Sequence, residues 1–324
     1  MQIITGMNSN DKILEASVVT IGNFDGVHRG HAEIFAHLKQ KSIVRGLPSV
    51  VVTFEPHPLK ILAPESAPSL ITTFEQKCTL IEDSGIDYLI IIPFSKEFSQ
   101  VPANDFVLKT LCSALGMRHI IIGHDYAFGK GREGNFKTLA HLGTLNGFTL
   151  EDLPPLGEEG VVFSSSLVRS AVADGDMAAA SLILGRYYQI SGIVVHGRDI
   201  GQALGFPTAN IATSNELFPC DGVYAVMVEV DGQCVKGACN IGFNPTFDRD
   251  MRTIEVFLLD YSSDIYDHVI TVHFVQRLRP EQKFSDISAL KQAISRDVEN
   301  TRNILENINK DYLKLSGGSE LCAH

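Results

Sequence analysis

Residues Thr20–His31 read TIGNFDGVHRGH, and the way this stretch turns decides the fold of the first half of the chain. It continues an apolar β-branched run (Val18, Val19, Ile21) that reads as a buried strand. The run breaks at Gly22 and again at Asp25-Gly26, then enters a pattern with Ile34, Phe35 and Leu38 that predicts a helix ending near Gly46. A strand passing through glycines into a helix N-terminus presents free backbone N–H groups and the positive end of the helix dipole, which suits a phosphate. His28 and His31 lie three apart at that entry and face the same way. Two imidazoles beside a phosphate-binding turn suit donation to phosphoryl oxygens as charge develops during transfer.

Outward from this turn, residues 48–54 (PSVVVTF), 88–94 (YLIIIPF) and 119–123 (HIIIG) are continuous apolar runs of the kind buried on both faces of a sheet. Helical patterns lie between them, at 72–84 with a Thr72…Glu75 capping box and at 102–115 closed by Gly116. The alternation predicts βαβ units and a doubly wound parallel sheet over residues 1–184. Ligands of such sheets bind beyond the carboxyl ends of the strands. Three polar clusters follow strands: the opening turn; Phe54-Glu55-Pro56-His57-Pro58, whose prolines hold His57 outward; and 123–132 (GHDYAFGKGR). The last carries rings to stack on a base and N–H groups and cations for phosphates. Alone, the second also reads as a rigid turn and the third as a surface loop. Ser164-Ser165-Ser166-Leu167-Val168-Arg169 opens a further helix, either as a serine cap or as a second phosphate site.

Composition narrows the classes. With 324 residues the chain is long enough for two cores, and 44% hydrophobic with 20% charged residues is ordinary for a globular protein. A net charge of −11 argues against nucleic acid or an anionic membrane as partner. No apolar run approaches the ~20 residues that span a bilayer, and MQIITGMNSNDK lacks a leader pattern, so the expected location is the cytoplasm. The six cysteines form no CxxC pair and read as small packed side chains; His28 and His31 have no third ligand at a zinc spacing.

HxGH after a strand, the FxPHP loop, the GxDYxFG loop and SSS-x-x-R occur in order over residues 18–169. Together they resemble the nucleotidyltransferase module of the bacterial bifunctional riboflavin kinase/FAD synthetases. The resemblance implies adenylyl transfer, in which the FMN phosphate attacks the α-phosphorus of ATP and pyrophosphate leaves. His28 and His31 would then stabilise the α-phosphoryl transition state, Asp125 would lie by the ATP or metal, and Ser164, Ser165 and Arg169 would grip the departing phosphates. The implied binding set also includes Gly22, Phe24, Asp25, Gly30, His57, Gly123 and Phe128. Ser166 stands where the family usually has threonine, and Leu167 where arginine is common.

Near Gly185 the period changes. Residues 189–195, 222–230, 233–241, 252–259 and 268–275 are short β-branched and aromatic runs, with a hairpin signal at Asp231-Gly232. They predict a small closed antiparallel barrel. Residues 285–315 then read as a helix with Ile287, Leu290, Ile294, Val298, Leu305, Ile308 and Tyr312 on one apolar stripe, followed by a disordered tail at 316–324.

Thr208 and Asn210 of PTAN are two apart, so an extended chain turns two neutral oxygens one way, a donor pair that Mg²⁺ accepts beside substrate phosphates; PTAN also reads as a turn. Glu255 sits in TIEVFLL, where both faces are apolar, so the carboxylate points into a barrel mouth or was wrongly placed inside. Partial desolvation would raise its pKa, as a base for a hydroxyl requires; a salt-bridged rim glutamate is the other reading. GFPTAN, GVY at 222–224, NIGFNPTF, IEVFLLD and LRPEQKF resemble the riboflavin kinase module of the same family over residues 185–300. That resemblance implies that Glu255 deprotonates the ribityl hydroxyl, that Thr208 and Asn210 hold Mg²⁺, and that the 192–206 loop covers the nucleotide phosphates. Gly197, Gly205, Asn240 and Arg279 complete the implied binding set, and Gln202 stands where a basic residue is expected. The expected protein converts riboflavin to FMN (1–184 being the second-step domain, 185–315 the first) and FMN to FAD, with ATP and Mg²⁺ at each step. Its partners are small molecules, with no nucleic acid or membrane. A kinase with an inactive first domain, or a flavin sensor without turnover, are the rival readings.

Overall fold

The apolar runs of the first half become the inner strands of one parallel sheet, which two edge strands complete: β1 Gln2–Thr5, β2 Ser17–Ile21, β3 Ser49–Glu55, β4 Tyr88–Pro93, β5 Met117–Gly123 and β6 Thr149–Leu153. Their order is β1-β4-β3-β2-β5-β6, and every neighbouring pair is parallel. Alternate residues bury opposite faces. Val19, Ile21, Val50, Val52, Ile90 and Ile120 pack with Phe106, Leu111 and Leu139 on one side. Val18, Val51, Leu89, Ile91 and Ile121 pack with Phe35, Leu38 and Ile81 on the other. A strand covered on both faces is built mainly of apolar side chains, which is why these runs are nearly continuous, with Ser17, Thr20, Ser49, Thr53 and His119 buried among them.

This computed structural model describes residues 1–6, 11–123, 126–158, 160–197, 201, 204–243, 252–308 and 312–313. They divide into two units, 1–69 with 74–164, and 70–73 with 165–324. The helix that follows the opening turn runs over Arg29–Arg45 and stops at Gly46, whose φ of 60° lets its N–H reach the Ile43 carbonyl. The predicted helix at 102–115 begins as a turn at Ala103–Asp105 and widens into a π-helix over Phe106–Ala114. Two further strands, β7 Gly157–Glu158 and β8 Val161–Val162, form a small hairpin.

The second unit contains the helices Ser165–Asp174 and Met177–Leu184 and a closed six-stranded antiparallel barrel. The barrel strands are β9 Tyr188–Val195, β10 Thr208–Thr213, β11 Gly222–Val230, β12 Gln233–Phe243, β13 Arg252–Leu258 and β14 Val269–Arg279, closed in the order β10-β13-β12-β11-β14-β9. Asp231 and Gly232 both have positive φ, 48° and 74°, as a two-residue hairpin that matches strand twist requires. PTAN is therefore the entry to a barrel strand.

The last helix spans Ile287–Ile304, capped by Asp286, which accepts from the Ala289 N–H at 2.8 Å. Its buried face follows the expected stripe from Leu290 onward, with Leu305 buried and Ile308 and Tyr312 packed on the same cluster. Ile287 is 69% exposed, whereas Ala293, Asp297 and Thr301 are buried. Asp297 faces inward because Arg279 on β14 meets it there. The proposed tail at 316–324 lies outside the described residues.

Candidate active sites

Strand order reverses at β2, which has β3 on one side and β5 on the other. The crevice at such a reversal lies beyond the carboxyl ends of the strands, where the turn after β2 and Gly123 at the end of β5 both lie. In that turn Phe24 and Val27 hold positive φ, 49° and 36°, and Gly26 holds 79°. Strained backbone of this kind is maintained only where its surroundings fix it. Here Phe24 is 2% exposed and packs edge-on against both Phe35, at 4.9 Å, and His31, at 5.2 Å between centroids. A Cβ on Gly22 would lie 2.9 Å from the Phe24 ring, so glycine is needed to let that ring in.

His28 is the N-cap residue of the helix Arg29–Arg45, and its ring stacks on His31 at 3.7 Å with planes 22° apart. Gly30 leaves room for this stack, since a Cβ there would stand 3.1 Å from the His28 ring. Asp25 is buried, at 6% exposure. The pair thus stands at a helix N-terminus, as its spacing implies, on a base of packed aromatic rings.

His57 corrects an expectation: it points inward, at 8% exposure. Its Nδ1 accepts from the Leu59 N–H at 3.2 Å and caps the short helix Pro58–Leu62. Its Nε2 lies 3.2 Å from the Asn23 side-chain amide nitrogen. Thr53 Oγ1 donates to the Asn23 carbonyl. His57 therefore ties the loop after β3 to the loop after β2.

Phe128 likewise differs from a ring open to a base. It is 6% exposed, stacks with Tyr126 at 5.6 Å and packs against Phe106 in the core. Gly134 makes way for it, because a Cβ there would lie 2.7 Å from the ring. Phe128 is a floor under its loop. Asp125 lies outside the described residues. Ser164 ends the first unit, while Ser165 and Arg169 belong to the first helix of the second.

On the barrel, Ile254, Val256 and Leu258 of β13 are buried inside with Cys239, Ile241 and Ala209 of the neighbouring strands. Alternation then turns Glu255 to the outer face, which corrects the choice between a barrel mouth and the interior. Glu255 is directly opposite Asn210 on β10 and directly opposite Asn240 on β12. Thr208 is opposite Phe257, one pleat along the same face. Cross-strand partners have Cβ atoms about 4.5–5.5 Å apart. One carboxylate is thus flanked by two amides and followed by a hydroxyl on a rigid sheet. The Glu255 charge is also felt across the strand: after burial itself, it is the cause that pushes the Cys239 thiol up.

Gly197 and Gly201 approach this row closely. A Cβ on Gly197 would meet Asn210 Nδ2 at 2.0 Å, and one on Gly201 would lie 3.2 Å from Thr208 Oγ1. Gly205 holds φ 89° where the chain turns back towards β10. Gln202 and the Asn244-Pro245-Thr246 turn lie outside the described residues.

Arg279 is engaged elsewhere. Its Nε and Nη2 donate to both oxygens of Asp297, at 3.0 and 2.7 Å for the closest approaches, and its Nη1 donates to the Pro280 carbonyl. Phe284 lies under the guanidinium at 5.6 Å. This pairing fixes the last helix to the barrel, a role that sequence spacing does not reveal.

Residues 10–167 match the FAD synthetase family model, and residues 184–305 match the riboflavin kinase family model. The bifunctional riboflavin kinase/FMN adenylyltransferase of Pseudomonas fluorescens is 40% identical over 303 residues, covering 93% of this chain and 97% of that protein. The Escherichia coli K12 protein of the same name is 38% identical over 92% of this chain and 96% of its own length. A solved structure described as a macrolide-efflux protein from Streptococcus pneumoniae superposes with a TM-score of 0.86 at 30% identity, over 94% of this chain and 99% of that one. Among the described residues no helix is long and apolar enough to cross a membrane. Two catalytic family models in tandem, and relatives of the same name matched over nearly their whole length, place this chain in the bifunctional riboflavin kinase/FMN adenylyltransferase family.

Proposed function

We infer that this chain phosphorylates riboflavin to FMN with its barrel and adenylylates FMN to FAD with its parallel-sheet half, using ATP at each step. The observation that carries the reading is the match of each half to its own transferase family, with the histidine pair in one and the Glu255 row in the other. The functional boundary is drawn at Gly185.

In the first step Glu255 takes the proton of the ribityl hydroxyl while its oxygen attacks the γ-phosphorus of ATP and ADP leaves. Asn210 and Asn240, on either side, keep the carboxylate in place and polar. Thr208 and Asn210 fit a magnesium ion: they are neutral oxygen donors on one face of a rigid strand, and Gly197 packs directly against the Asn210 amide, where no Cβ could stand. The ion would neutralise charge on the transferring phosphates. In the second step an FMN phosphate oxygen attacks the α-phosphorus and pyrophosphate leaves. His28 and His31 donate to the α-phosphoryl oxygens, and the helix N-terminus adds its dipole. Gly22, Phe24, Asp25, Gly30 and His57 shape that site. Ser164, Ser165 and Arg169 are assigned to the departing phosphates on their sequence pattern. Such transfers are mostly positioning and charge stabilisation, so loops, helix ends and a metal suffice. The need for ATP at both steps supports a cytoplasmic location.

The test is the magnesium dependence of each step in Thr208→Ala and Asn210→Ala. FMN formation should need more magnesium in both variants, with FAD formation from added FMN unchanged. An unchanged requirement for FMN formation would remove these residues from the metal.

A further inference from the structure

Arg29 lies between the two histidines in sequence and is the first residue of the helix that carries them. A guanidinium there stands against the positive end of the helix dipole and calls for a counter-charge. Glu158 supplies it: Arg29 Nη2 donates to Glu158 Oε1 at 2.6 Å. The same guanidinium lies 4.8 Å from the centroid of the Phe163 ring. Glu158 comes from the β7–β8 hairpin, whose base is closed by the Phe163 N–H donating to the Leu156 carbonyl at 2.9 Å. The Phe163 carbonyl would lie 3.7 Å from a Cβ on Gly30, so the hairpin base rests against the histidine turn itself.

A carboxylate thus occupies Arg29 at the phosphate end of the site. Carboxylate and phosphate offer a guanidinium the same paired oxygens, and a triphosphate carries more charge. Both partners are partly open to solvent, Arg29 at 34% and Glu158 at 46%, so the pair is weakly held and easily exchanged. Phe163 is 5% exposed and stays in place as a platform for the guanidinium plane.

We propose that Glu158 is a latch displaced by ATP: Arg29 leaves it for the triphosphate when the nucleotide binds. Arg29 is then a phosphate-binding residue of the adenylyl-transfer site, and Glu158 is a positioning residue acting through it. The proposal rests on the reading of His28 and His31 as that site.

The experiment measures KM for ATP and kcat of FAD formation from saturating FMN in the intact chain carrying Glu158→Gln, Arg29→Met, or both. Glu158→Gln should lower KM for ATP by about two- to five-fold with kcat little changed, because the nucleotide no longer competes with a carboxylate. Arg29→Met should raise KM by about tenfold. Adding Glu158→Gln to Arg29→Met should leave KM where the single arginine change put it. A hairpin staple without a latch would behave otherwise: Glu158→Gln would lower kcat or raise KM, and its effect would persist without Arg29. Either result overturns the proposal. If Glu158→Gln does not fold, Glu158→Asp, with its shorter reach, must lower KM in the same way, and an unchanged value overturns the latch. His31→Ala run alongside separates the two levels. If it retains FAD formation, the site reading falls; if it loses FAD formation while Glu158→Gln leaves KM unmoved, only the latch falls.

Discussion

The imidazoles of His28 and His31 stack across one turn at 3.7 Å, with planes 22° apart, and the space for that stack is made by Gly30. Both rings thus lie at the same helix N-terminus. A methyl group at position 30 would stand 3.1 Å from His28 Cε1 and Nδ1 and displace the ring. Gly30→Ala should therefore reduce kcat for FAD formation by about tenfold or more, since small misplacements of a positioned group are costly. Riboflavin phosphorylation by the same preparation should be unchanged, which a two-substrate flavin assay checks.

Gly197 offers the matching test on the barrel. Its backbone lies where a Cβ would overlap Asn210 Nδ2 at 2.0 Å, so Gly197→Ala must push the amide or the loop aside. FMN formation should fall with a raised KM for magnesium-ATP, and FAD formation from added FMN should persist. Equal KM values in variant and parent would show that the loop does not close on Asn210.

Arg279 and Asp297 make a stability prediction. The Asp297 side chain is 8% exposed and the Arg279 side chain 22%. Removing one partner strands the other charge, so Asp297→Ala should cost about 2–4 kcal/mol and lower the unfolding temperature by several degrees. The double change Arg279→Met with Asp297→Leu should recover most of that loss, because a packed apolar pair replaces the buried ions. Riboflavin phosphorylation in the recovered double variant reports on Arg279 separately: a nucleotide-binding arginine would leave it impaired.

The first unit should lose stability in mild acid. Burial, and then the charge of Arg45, hold His119 down at about 4 against an ordinary 6.5. For Glu151 burial alone acts upward, but hydrogen bonds from Lys41 and His37 outweigh it and bring the carboxyl down to about 2 from 4.5. Both folded values lie below the unfolded ones, so each group stabilises above its unfolded pKa and loses that contribution as pH falls through the folded value. His119 acts between about 6.5 and 4, and Glu151 between about 4.5 and 2. The unfolding temperature should fall from pH 7 to pH 4, by the equivalent of about 1–2 kcal/mol once solvent screening is allowed for. His119→Asn should flatten that slope in thermal melts across the range.

Much of this architecture is legible in the residues, for physical reasons that differ by element. Strands β2 to β5 are buried on both faces and show as unbroken apolar runs. Strands β1 and β6 are sheet edges, QIIT and TLEDL, largely exposed or half-buried, and they carry no such run. Residues 208–211 alternate polar and apolar, so their outward oxygens advertised the site before its strand. The last helix packs the face its apolar residues mark, and what they do not show is that Asp297 shares that face to meet Arg279.

For the sites, residue type pointed to Glu255 and the histidine pair, because a carboxylate in an apolar strand and an HxGH turn are unusual locally. Spacing alone did not show that Glu255 faces outward between two asparagines, since that depends on which strands become its neighbours. His57, Phe128 and Arg279 have the right chemistry for ligands, but Asn23 and Asp297 on other elements, and Gly134 beside Phe128, give them structural work. Long-range pairing decides such roles, and a single sequence displays little of it.

The central claim is that two separate sites on one chain carry the two steps, and crossed variants test it directly. Glu255→Gln and His31→Ala are each incubated with ATP and magnesium, once with riboflavin and once with FMN, and the flavins are separated and counted. Glu255→Gln should form no FMN from riboflavin but should convert added FMN to FAD. His31→Ala should form FMN from riboflavin and take it no further. A folded variant of either kind that stops both steps, or neither, would contradict the account.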